Sequence, residues 1–262
     1  MAECRIKDRI EIDKYYTANY GAPGMKREKK KNRTPEEMAK QNYWKRCRDL
    51  RRIIELNFGE GDLHVVLTCK KEERPDKEEA PKVIRKFRDR LAREYKKQGW
   101  EMKYVITCEI GQRGAVHWHM IVNNLTSERT STTKLIQKYW IRGRPYFTAL
   151  DGSGDYKKLA EYIVKETAEK IKKEETCEKL SYIASRNLKK PQVKRRNVKA
   201  KKWKKEPVVP KGWELVADSL INGINKFTGL PYQKYVIRRI PGKEKKKDAG
   251  GRYLHRHKHK GT

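Results

Sequence analysis

This sequence has little that suits a membrane or an oxidising compartment. No apolar run approaches the ~18 residues that a spanning helix needs, and neither a lipidation signal nor a secretory leader is evident. Cysteine is sparse. Cys4, Cys47, Cys69, Cys108 and Cys177 are odd in number and widely spaced, and no two form a Cys-x-x-Cys pair. That spacing excludes a zinc ribbon and a disulfide framework. Cys69 and Cys108 sit in apolar stretches and are read as buried thiols. No G-x-x-x-x-G-K-[ST] occurs, so no P-loop is present, and there is no internal repeat. Acidic residues are the most telling shortage: 34 Asp and Glu face 66 Lys and Arg, a net charge of +32. A compact chain with that excess repels itself, and a polyanion relieves the repulsion. The expected partner is nucleic acid, with no membrane involved, and the expected compartment is the cytosol.

Hydrophobic spacing then divides the chain. Residues 1–33 end in KREKKKNR and are read as a basic flexible arm. Thr34-Pro35-Glu36-Glu37 is a capping box with proline at the first helical position. Met38, Trp44, Cys47, Ile53 and Ile54 carry that helix to about Leu56, so residues 34–60 form an N-terminal helix that NFGEGD ends. Leu63 to Cys69 is an apolar strand expected inside a sheet, and His64, alone at its start, is read as structural. Val83, Ile84, Phe87, Leu91 and Tyr95 mark an amphipathic helix between Pro81 and Trp100. A short helix is predicted from Thr132 to Trp140, a strand from Arg144 to Leu150, and a turn at DGSGD. A helix from Tyr156 to about Ala168 and a strand around Leu180 to Ala184 follow. Residues 61–190 thus make one domain. Residues 191–240 are a basic linker and a small C-terminal appendage, with a turn at Gly229-Leu230-Pro231, and 241–262 are a disordered basic tail. The order predicts an α+β fold, a central and mainly antiparallel sheet flanked by helices.

Val105 to Asn123, VITCEIGQRGAVHWHMIVN, reads as two strands around a turn. A period of two puts Ala115, His117, His119 and Ile121 on one face and Val116, Trp118, Met120 and Val122 on the other. On the paired strand Glu109 falls opposite His117 or His119. Two imidazoles and a carboxylate, with coordination positions left open, suit a divalent metal that also holds substrate oxygen. Mn²⁺ or Mg²⁺ fits that set better than zinc. The plainer alternative makes the histidines polar residues on the exposed face of a half-buried strand.

In the helix from Tyr156, Leu159, Ala160, Ile163 and Val164 form the apolar stripe. Tyr162 and Lys165 project from the other side, roughly 60° apart. A phenol with a pKa of about 10 is a poor nucleophile at neutral pH unless a cation favours the phenolate. Tyr162 beside Lys165 therefore fits attack on a metal-held phosphodiester, with Lys165 offsetting charge in the transition state. An amphipathic tyrosine at a helix boundary is the ordinary alternative. Tyr156 lies about 240° around the helix from Tyr162 and does not share its face.

These motifs together resemble the HUH endonucleases, in particular the single-tyrosine rolling-circle replication initiators of small plasmids, phages and single-stranded DNA viruses. Their histidine–hydrophobic–histidine strand matches His117-Trp118-His119, and the glutamate that some members use as third metal ligand matches Glu109. Their Tyr-x-x-Lys helix matches Tyr162-Ile163-Val164-Lys165, and their first motif matches Val65-Val66-Leu67-Thr68. The resemblance covers about residues 60–185, with NFGEGD and SRNLKKP as weaker likenesses to bacterial plasmid and phage members. It implies a sheet with the histidine strand in its middle and the tyrosine helix beside it. It also implies a reaction on single-stranded DNA at an origin hairpin, in the cytoplasm of a bacterial host: Glu109, His117 and His119 hold Mn²⁺ or Mg²⁺, Tyr162 attacks, and Lys165 assists. The product is a 5′-phosphotyrosine link and a free 3′ hydroxyl, which a host polymerase extends behind a host helicase. Thr68 and Arg113 are candidate DNA contacts. The tail histidines His255, His257 and His259 also fit His-x-His but lack a strand, and are read as solvated.

Two rivals remain open at this point. A transposase or conjugative relaxase would use the same chemistry on another substrate. A non-catalytic protein could instead display sheet aromatics to single-stranded nucleic acid, with no metal dependence.

Overall fold

The structure, a computed structural model, describes residues 1–16, 34–76, 78–110, 115–152, 156–171, 182–198, 203–226 and 229–240, with the backbone alone at 110 and 165–171. In chain order the elements are β1 (Ala2–Ile6), β2 (Arg9–Tyr15), α1 (Pro35–Asn57), β3 (Leu63–Leu67), α2 (Ala80–Lys97), β4 (Tyr104–Ile110) and β5 (Val116–Val122). They continue with α3 (Thr132–Tyr139), β6 (Pro145–Ala149), α4 (Lys157–Ile171), β7 (Ile183–Ala184), β8 (Val193–Arg195), β9 (Trp213–Leu215), β10 (Ile221–Ile224) and β11 (Pro231–Arg239). Among the described residues no helix is long and apolar enough to cross a membrane. The chain forms two compact units: residues 32–191, and residues 1–31 together with 192–262.

In the unit of residues 32–191 the strands run β6-β3-β5-β4-β7, every pair antiparallel. β3 and β4 both oppose β5, so they run parallel to each other with β5 between them. This is a split β-α-β arrangement crossed by α2. The histidine strand β5 is central, and both of its faces are covered. On one side Val65, Trp118 and Met120 pack under α2 and α3 with Ile84, Phe87, Leu91 and Ile136. On the other, Val105 and Ile121 pack under α1 and α4 with Leu50, Ile54, Ala160, Ile163 and Val164. Each buried side chain of this size contributes roughly 1.5–3 kcal/mol, so two covered faces fix the register of β5 firmly. The fold is α+β, with antiparallel sheets and four helices.

Local sequence accounts for the helix ends. The Thr34 hydroxyl accepts from the Glu37 amide and the Glu37 carboxylate accepts from the Thr34 amide, both at 3.2 Å, which starts α1. Past the end of α1, Gly61 turns the chain at φ 80°, where a side chain would be strained. The two segments flanking the domain meet through Asn57. Its amide nitrogen donates to the Lys189 carbonyl at 2.8 Å, and its amide oxygen accepts from the Lys189 amide at 2.7 Å. NFGEGD and SRNLKKP are therefore tied to each other here.

In the second unit the strands run β10-β11-β2-β1-β8, with β9 also paired to β11, again all antiparallel. Ile12, Tyr235 and Ile237 form its core with Trp213 and Leu215 packed against them. This corrects the reading of residues 1–33 as a featureless arm. Residues 2–15 are a hairpin whose β2 pairs with β11, more than two hundred residues later. The basic composition of the N-terminal region hid a period of two in Arg9-Ile10-Glu11-Ile12-Asp13. The expectations for residues 17–33, for the 241–262 tail with its histidines, and for Cys177 lie outside the described residues. A second correction concerns thiols. Cys4 and Cys47 are buried, whereas Cys69 and Cys108 are only half-buried.

Candidate active site

The β4–β5 register sets three pairs on the face beneath α1 and α4: Val105 with Ile121, Thr107 with His119, and Glu109 with His117. The series runs from the apolar core to polar groups. Val105 and Ile121 are at most 1% exposed and His119 is 3% exposed, while Glu109 keeps 15% of its side chain in contact with solvent. Glu109 stands directly across from His117, but its carboxylate reaches diagonally, with Oε2 2.7 Å from Nε2 of His119.

His119 is the centre of the cluster. Its Nδ1 lies 3.2 Å from Nε2 of His64, and the two rings are 20° from parallel with centroids 5.4 Å apart. His64 comes from β3, where it pairs with Ile121, one step along the face from His119. Burial, and after it the neighbouring His119 ring, pushes His64 down to about 4, so it is neutral at physiological pH. Read as a lone structural histidine, His64 belongs to the site. Only the β3–β5 register reveals that, and a sequence does not state it.

Tyr162 reaches the same ring from α4. Its centroid lies 5.4 Å from that of His119, at 89°, an edge contact. Ala160, Ile163 and Val164 bury the stripe that docks α4, whereas Tyr162 stays 46% exposed. The phenol thus touches His119 on one side and is open on another. Tyr156 differs completely. It is 4% exposed, donates its hydroxyl to the Asp151 carbonyl at 2.8 Å, and belongs to the core.

The remaining candidates fall out differently. His117 is half-buried on the site face. Lys165 lies on α4 three residues beyond Tyr162, and its side chain is outside the described residues, as is Arg113 with the GQRG turn. The Thr68 hydroxyl donates to the Arg144 carbonyl at 2.8 Å, and its own carbonyl accepts from Nε1 of Trp140 at 2.7 Å. A second residue missed by sequence reasoning is Thr107. It is 7% exposed, and its hydroxyl has no hydrogen-bond partner among the described residues. No three His, Cys, Asp or Glu side chains converge as an ion-binding group among the described residues.

One comparison bears on what such a cluster is for. Residues 62–167 match the family model of the replication-associated protein ORF2. The match begins just before β3 and ends within α4, so His64, Glu109, His117, His119 and Tyr162 all lie inside it. It supports a replication initiator, a class consistent with endonuclease activity and with DNA as partner. No curated protein and no solved structure matches the chain.

Proposed function

We propose that this protein starts rolling-circle replication by nicking and rejoining single-stranded DNA through Tyr162. The observation that carries this reading is the edge contact between Tyr162 and His119, at 5.4 Å, with Glu109 on the same imidazole at 2.7 Å. Three separate motifs, on β4, β5 and α4, meet at one buried ring.

The HUH reading implies a divalent metal, and the donors suit one. Two ligands of an octahedral ion at about 2.1 Å and right angles stand about 3.0 Å apart. Oε2 of Glu109 and Nε2 of His119 are 2.7 Å apart, so a shift of a few tenths of an ångström would admit the ion between them. Glu109, His117 and His119 are the residues that would hold it, and Thr107 adds a buried hydroxyl beside them. When bound, Mn²⁺ or Mg²⁺ polarises a phosphoryl oxygen and neutralises charge there.

The chain's own residues do the rest. The Tyr162 oxygen bonds to the scissile phosphorus, the bond to the 3′ oxygen breaks, and that oxygen leaves as a hydroxyl once it has taken up a proton. The phenol surrenders its proton in the same step. The DNA 5′ phosphate is then held on Tyr162. Attack by a new 3′ hydroxyl reverses the sequence and rejoins a strand. Lys165, one turn along α4, supplies positive charge on the tyrosine side.

Charge is divided unequally between the two units, which bears on DNA affinity. The 102 residues of the β1–β2–β8–β11 unit hold 30 Lys and Arg against 10 Asp and Glu, while the other 160 hold 36 against 24. On this reading the smaller unit supplies most of the sequence-independent grip on DNA.

The test is covalent capture. Labelled single-stranded hairpin oligonucleotides, incubated with Mn²⁺ and run on a denaturing gel, should give a shifted protein band. Chelator and Tyr162→Phe should each remove that band. A band that survives Tyr162→Phe would show another nucleophile. Tight binding with no band under any metal would favour a non-catalytic binder.

A further inference from the structure

We propose that His64 is a positioning residue for His119, holding Nδ1 so that Nε2 faces Glu109 and the place a cation would take. This rests on the metal reading above. His64 itself cannot share that cation with His119. It lies at Nδ1, across the ring from Glu109, so an ion between Nε2 and the carboxylate is out of its reach.

The geometry gives His64 a specific task. His119 is 3% exposed, so water cannot readily serve its ring nitrogens, and each meets a protein group instead: His64 at 3.2 Å and Glu109 at 2.7 Å. These partners make opposite demands on the proton. A Glu109 carboxylate facing Nε2 favours a proton there, which leaves Nδ1 bare and in need of a donor. A cation at Nε2 requires the bare nitrogen there, which sends the proton to Nδ1 and calls for an acceptor. Nε2 of a neutral imidazole can play either part, according to which of its own nitrogens carries hydrogen. A carboxylate or a lysine at position 64 could play only one. The site is also rigid. His64 sits on β3, the neighbour of β5 in the sheet, and the rings lie 20° from parallel, so the contact is set by strand register.

Three forms of the full chain test this: wild type, His64→Gln and His64→Phe. The glutamine amide can donate or accept, whereas phenylalanine keeps a flat ring and loses both abilities. The first readout is the ¹⁵N shifts of the His119 ring in metal-free, histidine-labelled protein. The second is Mn²⁺ affinity, read from the free-ion signal in electron paramagnetic resonance, and the third is Tm. His64→Phe should move the Nδ1 shift of His119 and weaken Mn²⁺ binding about 10- to 100-fold, the usual cost of losing such a partner. His64→Gln should stay within about threefold of wild type. If His64→Phe does not fold, His64→Leu takes its place. Equal weakening by Gln and Phe would overturn the proposal, since packing alone would explain it. So would unchanged affinity and unchanged shifts in His64→Phe. If wild type binds no Mn²⁺, the metal reading fails by itself. The metal-free shifts then decide whether His64 holds His119: a moved Nδ1 signal in His64→Phe sustains the contact, and an unmoved one overturns it.

Discussion

Neutralising Arg5, Lys194 and Arg239 together should flatten the salt dependence of DNA binding by a calculable amount. All three are exposed. Sheet register puts them on one face: Lys194 pairs with Glu3, Arg5 is two residues further along β1 and pairs with Ile10, and Ile10 pairs with Ile237, two residues before Arg239. The guanidiniums of Arg5 and Arg239 lie 5.8 and 5.7 Å from the ring centroid of Trp213, so two cations and an indole sit together. Such a grouping suits a phosphate backbone with a base beside it. Two acidic groups nearby are already engaged, Glu3 by Arg196 at 2.7 Å and Glu214 by Arg238 at 2.6 Å.

For single strands each neutralised phosphate contributes about −0.7 to the slope of log K against log salt, so three lost contacts change the slope by about 2. Between about 50 and 200 mM salt, wild type should therefore lose about 20-fold more affinity than the Arg5→Gln, Lys194→Gln, Arg239→Gln triple variant. Fluorescence anisotropy of a labelled oligonucleotide, with chelator present so that nothing is cut, measures both slopes. The control triple is Lys82→Gln, Lys86→Gln, Arg90→Gln, on the exposed face of α2 in the other unit. A slope that flattens only in the α2 variant, or in neither, would refute the assignment of DNA affinity to the smaller unit.

Two further substitutions separate scaffold from chemistry. Tyr95→Phe should cost about 1–3 kcal/mol in urea unfolding, because the fully buried hydroxyl bonds the Asn123 carbonyl at 2.8 Å and the Thr132 hydroxyl at 2.6 Å. A change below about 0.3 kcal/mol would mean those bonds contribute nothing net. Tyr156→Phe should cost about 1 kcal/mol through its lost bond to the Asp151 carbonyl yet still form the covalent DNA adduct. Loss of the adduct in a folded Tyr156→Phe protein would make Tyr156 part of the chemistry.

Much of the larger unit was legible because its signals are local. The Thr34 capping box, the β-branched run of β3 and the Val-x-Trp-x-Met-x-Val alternation of β5 each depend on neighbours a few residues away. The stripe of α2, Ile84, Phe87, Leu91 and Tyr95, is buried as its spacing requires. What could not be read depends on register or on distant partners. Residues 2–15 form strands because β11 and β8 lie beside them, and nothing near them in sequence announces that. Glu109 looked able to face either histidine. It stands opposite His117 and bonds His119, a choice made by side-chain reach rather than by strand pairing. Thr107 escaped notice because a threonine in a strand is ordinary until its hydroxyl proves buried with no partner among the described residues.

The neighbours of His119 come from three elements: His64 from β3, Glu109 from β4 and Tyr162 from α4. No single element could carry this constellation, so its geometry is a property of how the elements dock. Val105 and Ile121 do much of that work. They pair across β4 and β5 and belong to the same core as Ala160, Ile163 and Val164 of α4, so one apolar cluster sets both the strand register and the seat of the tyrosine helix. A slip of one residue in β5 would turn His119 to the opposite face and bring Trp118 to this one, losing the core and the site together. The register of the site is therefore protected by the hydrophobic one. That coupling keeps a half-exposed tyrosine aimed at a buried histidine, because the stripe beside it on α4 is locked into the same core as the strand that carries the imidazole.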